Sequence, residues 1–566
     1  MKYDEIKRNK MLVIGITVFS ILVLGGVSFT FFSAAVSNSN NEKFTTQTAT
    51  MSLAFDDNDN GISATLNLGE SITKKFTLEN TGTVDAYGKI NWYNLLNTYT
   101  QNSLTWVLKQ STTENGTYTT VGIGKVPTSN QRTTAVLKDG LLVPVNTTYY
   151  YQLIITLKNL DVNQSSDLTA RINSKFSLAA GEPVLGTDAI TELVSGEPTN
   201  TTDVITLESP SEKCENTLAY DGTTDNNLRY VGNNPCNFVS FNNESISVVE
   251  RWDVVRSDDG RSIGYNRPTN TSEADCLENL YWSDYTCAKK YVTEGGWRII
   301  GVMNNVDDGT GNLETRIKLI RNSPLGNSIT TWWNENYTPY SWDSSANNVN
   351  QGSGINDWTQ ADLKTELNGD FLNYNLNADT YWYNDSSNTK EAVFEHNEAL
   401  GQAAQSLIGN AKWYLGGVDS YNYMPSQFYT KERGTTVWPS SGNTCNDGFC
   451  PRATTWTGKV GLIYPSDSMY STGENFRDFC LQNAAQSSLF NSKCELNFNW
   501  IHDTATITPF SNYANNILLY QPVSEGDAYR CVETSSYLFV LPTVYLKADV
   551  KIVGGDGSPD NPYVLQ

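Results

Sequence analysis

The chain of 566 residues carries 39 Lys and Arg against 61 Asp and Glu, a formal net charge of −22. That balance excludes a nucleic-acid partner, whose affinity rests on cationic side chains neutralising phosphates. A charged fraction of only 18%, beside abundant Asn, Thr, Ser and Tyr, describes the surface of an extracellular β-rich protein, and the length admits two or three domains with their own cores.

Residues 1–10, MKYDEIKRNK, read as a basic cytoplasmic segment, with Lys2, Lys7, Arg8 and Lys10 against Asp4 and Glu5. Residues 11–36 hold no charge. A helix over them would be about 39 Å long, enough for a hydrocarbon core of about 30 Å, and the basic flank sends the remainder of the chain outward. Two readings stand. The length favours a retained transmembrane anchor, because a signal peptide has an apolar stretch of only about 7–15 residues. Small residues favour a cut: Ser28 and Thr30 precede Phe31, and Ser33 and Ala35 precede Val36, so Thr30 and Ala35 are the candidate cleavage positions. The expected location is the outer face of the membrane or the extracellular matrix, with the membrane a partner only while the helix is kept.

Residues 43–180 alternate apolar and polar side chains with period two between turn residues, which predicts seven to nine short strands in an antiparallel β-sandwich. In TATMSLAF, Ala49, Met51, Leu53 and Phe55 share a face, and this extended segment suits self-association by strand addition. The following DDNDNG places Asp56, Asn58 and Asn60 at alternate positions before a glycine, as a calcium loop does. Its twelfth position is Asn67 instead of an acid, so a hairpin turn is the preferred reading. Calcium stays the one conceivable cofactor; no other metal or cofactor is expected.

Residues 181–213 repeat GEPVL as GEPTN and TDAIT as TDVIT, and their Pro, Gly and Thr predict an extended, semi-stiff linker. All nine cysteines follow it. Pairing neighbours joins Cys214 to Cys236, Cys276 to Cys287, Cys445 to Cys450 and Cys480 to Cys494, leaving Cys531 free, although spacing alone leaves the connectivity open. Zinc is disfavoured by the lack of any CxxC pair and by only two histidines. In 214–566 a hairpin is predicted at GGWRIIGVMNNVDDGTGNLETRIKLIR. Helical spacing occurs at TQADLKTEL, from Lys390 to Ile408, and in NFRDFCLQNAAQ, which makes this region α+β.

No catalytic residue is assigned. His396 in EHNEA is not a His-Glu-x-x-His zinc site, and His502 lacks a Gly-x-Ser-x-Gly nucleophile context. The most suggestive stretch is 330–358, where Trp332, Trp333, Tyr337, Tyr340 and Trp342 crowd a polar sequence. Such aromatics either bind a polysaccharide or protein ligand or fill the core of an irregular fold.

Two resemblances add to this. GGVSFTFFSAAVSNSNNEKFTTQTATMSLAF followed by LGESITKKFTLENTGTVDAYGKINW resembles the camelysin and TasA group of Gram-positive exported proteins, as does DVNQSSDLTARINSKFSLAA. It implies a jelly-roll-like sandwich, export through a dedicated signal peptidase with a cut near Thr30/Phe31, and, in some members, fibres of a biofilm matrix. Further on, WRIIGV, RIKLIR, AKWYLGG, KVGLIYPSD, NWIHDTATITP and VYLKADVKIVGGDGSPDNPYVL resemble a domain of unknown function on Firmicutes surface proteins. That resemblance implies a C-type-lectin-like fold related to the formylglycine-generating-enzyme type, although Leu541-Pro542-Thr543 stands where relatives carry Arg-Pro. The expectation is a non-enzymatic surface or matrix protein with an assembly domain and a binding domain. The alternatives are an exported enzyme using the second domain, or a membrane-tethered stalk without a ligand.

Overall fold

The computed structural model describes residues 52–57, 61–100, 103–160, 162–257, 272–278, 280, 285–325, 342–343, 355–373, 398–435, 452–474, 477–484, 504–510, 516–520, 529–533 and 539–566, and the backbone of 381–384 and 389–392. The segment 11–36, with Thr30 and Ala35, lies outside them. Among the described residues no helix is long and apolar enough to cross a membrane.

Among the described residues, the regular structure of the first part is all strand apart from one 3-10 turn. In chain order it runs β1 (Leu53–Asp56), β2 (Ile62–Ala64), β3 (Ser71–Asn80), β4 (Ala86–Asn97), β5 (Leu104–Ser111), β6 (Thr119–Lys125), β7 (Ser129–Val143), β8 (Thr148–Leu157) and β9 (Ile172–Ala180). They form two antiparallel sheets, ordered β1-β3-β8-β5-β6 and β2-β9-β4-β7, which share one apolar core. Alternation aims every second side chain inward. Phe76 and Leu78 of β3 meet Tyr151, Leu153 and Ile155 of β8, with the rings of Phe76 and Tyr151 stacked at 5.0 Å. From the other sheet Ile90, Trp92 and Phe176 close the core, Trp92 and Phe176 lying 5.2 Å apart. The alternation slips within β4 between Trp92 and Leu95, where Asn94 takes φ 55° in a bulge that returns Leu95 to the interior.

DDNDNG is not the expected hairpin turn. β1 pairs with β3, whereas β2 pairs with β9 of the opposite sheet, so the strands on either side of it do not pair as a hairpin, and residues 58–60 lie outside the described residues. Its glycine serves a close approach: a Cβ on Gly61 would lie 2.4 Å from the Ser174 carbonyl oxygen.

The linker expectation also fails. β10 (Val184–Leu185) opens a helix, Gly186–Leu193, and β11 (Ile205–Thr206) follows. Ile190, Val194 and Ile205 are buried in the second core together with Trp297 and Ile317. Ile190 and Val194 are four residues apart and fall on one helical face, a pattern hidden among Thr, Gly and acidic neighbours. Lys125 pairs with Glu197, and Tyr87 Oη donates to Gln566 Oε1 at 3.2 Å. The segment 181–213 is thus packed between its neighbours, and Thr50–Gln566 clusters as one unit.

The second part continues with β12 (Thr217–Tyr220), β13 (Leu228–Tyr230), β14 (Phe238–Ser240), β15 (Ser247–Arg256), β16 (Tyr285–Glu294), β17 (Trp297–Asp307) and β18 (Leu313–Arg321). Later come β19 (Tyr381–Asn384), β20 (Thr389–Ala392), β21 (Ala411–Tyr414), β22 (Thr455–Gly458), β23 (Val460–Gly461), β24 (Thr504–Pro509), β25 (Asn516–Tyr520), β26 (Tyr529–Glu533), β27 (Thr543–Tyr545), β28 (Lys551–Gly554) and β29 (Tyr563–Leu565). The main sheet runs β10-β28-β29-β14-β17-β13-β12-β11, and β18 leads from β17 to β27 and β23. Its pairs are antiparallel except β14 beside β29. The hairpin expected at Trp297 to Arg321 is β17 and β18, turned by Asp307 and Asp308, whose carboxylates accept the Gly309, Thr310 and Gly311 amides.

Helices form at Asp362–Asn368 and Arg477–Gln482 as expected. The stretch from Lys390 to Ile408 is not one helix. Lys390 to Ala392 belong to β20, paired with β19, and among the described residues of the stretch α-helix forms at Gln402–Leu407, after Gly401 in extended conformation. Cys214 bonds to Cys236 and Cys276 to Cys287, with Cα atoms 5.1 and 6.0 Å apart, Cys480 is also disulfide-bonded, and Cys531 is free. Cys445, Cys450 and Cys494 lie outside the described residues.

The packing of 181–213 generates a direct expectation. Ile190→Ala lowers unfolding stability in urea by about 2–5 kcal/mol, the usual cost of emptying a buried site; a loss below about 0.5 kcal/mol would make the segment a spacer after all.

Candidate functional site

Of the aromatic candidates, Trp332, Trp333, Tyr337 and Tyr340 lie outside the described residues. Trp342 is a core residue and offers no face to a ligand: it is fully buried, its Nε1 donates to the Thr506 carbonyl at 3.2 Å, and its ring lies 5.2 Å from that of Trp358. The polarity around it is turned inward. Asp343 accepts the Ile355 amide at 2.7 Å, and Asn356 Nδ2 donates to the carbonyls of Phe510 and Asn516 at 3.0 and 2.7 Å. Polar side chains that satisfy the backbone of an irregular segment allow its tryptophans to be buried. Of the calcium candidates, Asp56 sits in β1 paired with Thr77, while Asn58 and Asn60 are outside the described residues, as are His396 and His502. Among the described residues no group of three or more His, Cys, Asp and Glu is placed to hold a metal.

A buried ionic network was not anticipated from the sequence. Asp467 lies in the short helix Pro465–Met469, Arg229 on β13, Lys318 on β18, and Asp221 just after β12. Arg229 Nε donates to Asp221 Oδ2 and its Nη1 to Asp467 Oδ1, both at 2.8 Å, while Lys318 Nζ reaches Asp467 Oδ2 at 2.5 Å. Asp467 also accepts the Tyr464 amide at 3.1 Å, which anchors the start of its helix. The Lys318 ammonium is wrapped by rings, 4.4 Å from the centroid of Tyr464, 5.1 Å from Tyr545 and 5.4 Å from Trp413. Gly461 lets Trp413 come this close, since a Cβ there would stand 2.7 Å from the indole. Beside the network Glu432 is fully buried and accepts the Ser466 amide and hydroxyl at 2.9 and 2.5 Å.

Burial opposes ionisation of Asp467, but Lys318 and Arg229 outweigh it and hold the carboxyl at about 2. Burial, only partly offset by Asp467, lowers the Lys318 ammonium to about 8. Such a lysine is a stronger nucleophile than an exposed one at neutral pH, but it is 1% exposed and enclosed on all sides. The network therefore braces strands and does not face a substrate. Its sequence signal is a single basic residue inside an apolar strand, in LRYV and in RIKLI.

A second polar cluster surrounds Trp358, whose ring meets that of Trp456 at 6.1 Å. Asp357 accepts Thr359 N and Oγ1 at 3.0 and 2.7 Å, Gln360 Nε2 at 3.1 Å and the Ala453 amide at 3.3 Å. The last bond draws Arg452 beside Asp357. Burial lowers the Arg452 guanidinium to about 10 despite the attraction of Asp357. Close by, burial and the carboxylates of Asp362 and Asp357 raise Asp343 to about 6 although the Ile355 amide opposes this. Burial with Asp370 and Asp362 raises Glu366 to about 7. This region can hold a proton near neutral pH and offers a desolvated cation.

Two expectations follow from these environments. Asp467→Asn leaves two buried cations short of a counter-charge and costs about 3–5 kcal/mol in urea unfolding, while exposed Asp560→Asn changes stability by less than about 1 kcal/mol. Stability also has a pH optimum. Asp467, depressed when folded, contributes fully above its unfolded value of about 3.9 and loses that contribution as pH falls through about 2. Asp343 and Glu366, raised when folded, favour the native state at low pH, and that advantage fades as pH climbs through about 6 and about 7. The urea midpoint accordingly peaks near pH 4–5, and Glu366→Gln flattens its decline towards pH 7; an unchanged decline would remove Glu366 as its source. No protein-family model matches this chain, and no curated protein matches it.

Proposed function

We propose that this chain is a non-enzymatic, exported protein of a Gram-positive cell surface or extracellular matrix. In this reading the first part is a jelly-roll-like sandwich that attaches or polymerises, and the cysteine-bearing part is a C-type-lectin-like module that binds a macromolecular ligand. The observation that carries the reading is the position of β1. It is the outermost strand of the five-stranded sheet, paired with β3 alone among the described strands, and it follows closely on the apolar leader. An edge strand that begins just after an export segment is suited to exchange with, or addition to, a neighbouring copy. Support also comes from the paired cysteines, since disulfides persist in oxidising compartments outside the cytosol.

The test is the intact mass of the protein from culture medium and from membranes of the producing cell. A mass beginning at Phe31 or Val36, found in medium or fibres, is expected, together with slower fibre growth when a TATMSLAF peptide competes for the sheet edge. A full-length mass confined to membranes, with no effect of the peptide, would sink the assembly role. Saturable binding to cell-wall polysaccharide or mucin that disappears in a W332A/W333A variant is expected for the second part.

A further inference from the structure

β15 and β16 stand apart from the larger sheets. Among the described residues they pair only with each other, over ten residue pairs from Ser247 opposite Glu294 to Arg256 opposite Tyr285. Ten pairs make a ribbon about 33 Å long. Its main neighbour among the described elements is the helix Glu273–Glu278, tied to β16 by the Cys276–Cys287 disulfide. A two-stranded ribbon is marginally stable in water and gains from further strands. Val249 is exposed and Trp252 only half-buried, so the apolar side chains of the ribbon are incompletely covered.

The two edges of the ribbon differ in charge. β16 carries Lys289 and Lys290 in succession, a pattern that discourages a further strand. β15 carries Glu250, Arg251 and Asp253 around Trp252, with signs that alternate. A strand that pairs with its own copy across a two-fold axis runs antiparallel to it, and facing side chains lie on the same side of the sheet. Because sides alternate with period two, the axis must pass at a residue, which then faces itself. At Glu250, Arg251 or Asp253 a charge would meet its own copy. At Trp252 the outcome reverses: Arg251 of each copy faces Asp253 of the other. These two side chains already share a face within one chain, with Arg251 Nε 2.8 Å from Asp253 Oδ1 and Nη2 donating to Oδ2 at 3.1 Å. Two such pairs combine into a four-charge cluster of alternating sign, while Glu250 keeps Lys289 of its own ribbon at 2.8 Å.

We infer that β15 is a self-recognition edge, through which two copies of this chain join antiparallel across a two-fold axis at Trp252. The two ribbons then form one four-stranded sheet, with the two Trp252 rings side by side and exposed Val249 facing Val255 of the second copy. This contact lies in the second part and does not rest on assembly through β1.

Sedimentation velocity of the full chain is measured over a concentration series, with the TATMSLAF peptide present to compete at β1. The wild type is expected to form a dimer. Arg251→Asp and Asp253→Arg each set like charges opposite one another and are expected to weaken the dimer by about tenfold or more. Mixing these two variants restores opposite signs at both positions, so a mixed dimer is expected to form. Independently, Trp252→Cys in a Cys531→Ser background is expected to give a disulfide-linked dimer on mild oxidation, because facing residues have Cα atoms within disulfide reach. Val249→Cys in the same background is not expected to cross-link, since the two copies of residue 249 stand about 20 Å apart in this register. A wild type that remains monomeric overturns the inference, and so does a dimer indifferent to both charge reversals. Folded charge variants that fail to associate on mixing, or cross-linking at 249 and not at 252, overturn the register. The wild type and the cysteine variants decide the matter even if a charge variant fails to fold.

Discussion

One carboxylate organises the second part of this protein. Asp467 sits where β13, β18 and a short helix converge, and it is the common partner of Arg229 and Lys318. An ion removed from water is tolerated only when its charge and hydrogen bonds are met in place. The strands bearing the two cations and the helix bearing the anion are thereby restricted to relative positions that keep all three groups in contact. Lys318 then needs rings around its remaining surface, and Tyr464 at the start of the Asp467 helix, with Tyr545 and Trp413 from two further segments, supplies them. Trp413 in turn needs a glycine at 461. Three of the buried aromatics of the second part are thus explained by the shielding of one buried charge.

The first part is held by a different principle. Its two sheets are closed by alternating apolar side chains with few charges inside, so its order comes from the period-two pattern and the bulge at Asn94. Between the two lies 181–213, whose short strands extend the second sheet and whose helix fills its core. That segment makes the junction stiff by burial, with Ile190 and Val194 as the contacts that matter most.

The strands of the first part, the hairpin at Trp297 to Arg321 and the helix at Asp362–Asn368 could be read because each depends on side chains close together in the chain. The pairs Cys214–Cys236 and Cys276–Cys287 could be read for the same reason, being 22 and 11 residues apart. DDNDNG misled because a turn-rich composition says that the chain changes direction and not which sheet it enters next. GEPVLGTDAITELVSGEPTN misled because two buried residues in a polar stretch carry less weight than the Pro and Gly around them. The helical spacing from Lys390 to Ile408 misled because a hairpin partner claimed Lys390 to Ala392.

The sequence by itself determined the acidic charge balance, the uncharged run at 11–36, the β-rich character and the order of the strands, all of which follow from composition or from neighbours a few residues apart. Only the tertiary structure decided which polar and aromatic residues are buried. Arg229 and Asp467 are 238 residues apart and Lys318 and Asp467 are 149 apart, so no local pattern announces them as partners. Trp342, which the sequence left open between a ligand face and the core, is buried, with Asp343 and Asn356 satisfying backbone groups around it. Arg452 is buried, although nothing in its local sequence marks it as a core residue. The physical reason is common to all of them: the cost of burying a charge or an indole depends on what stands opposite it, and that is set by the fold.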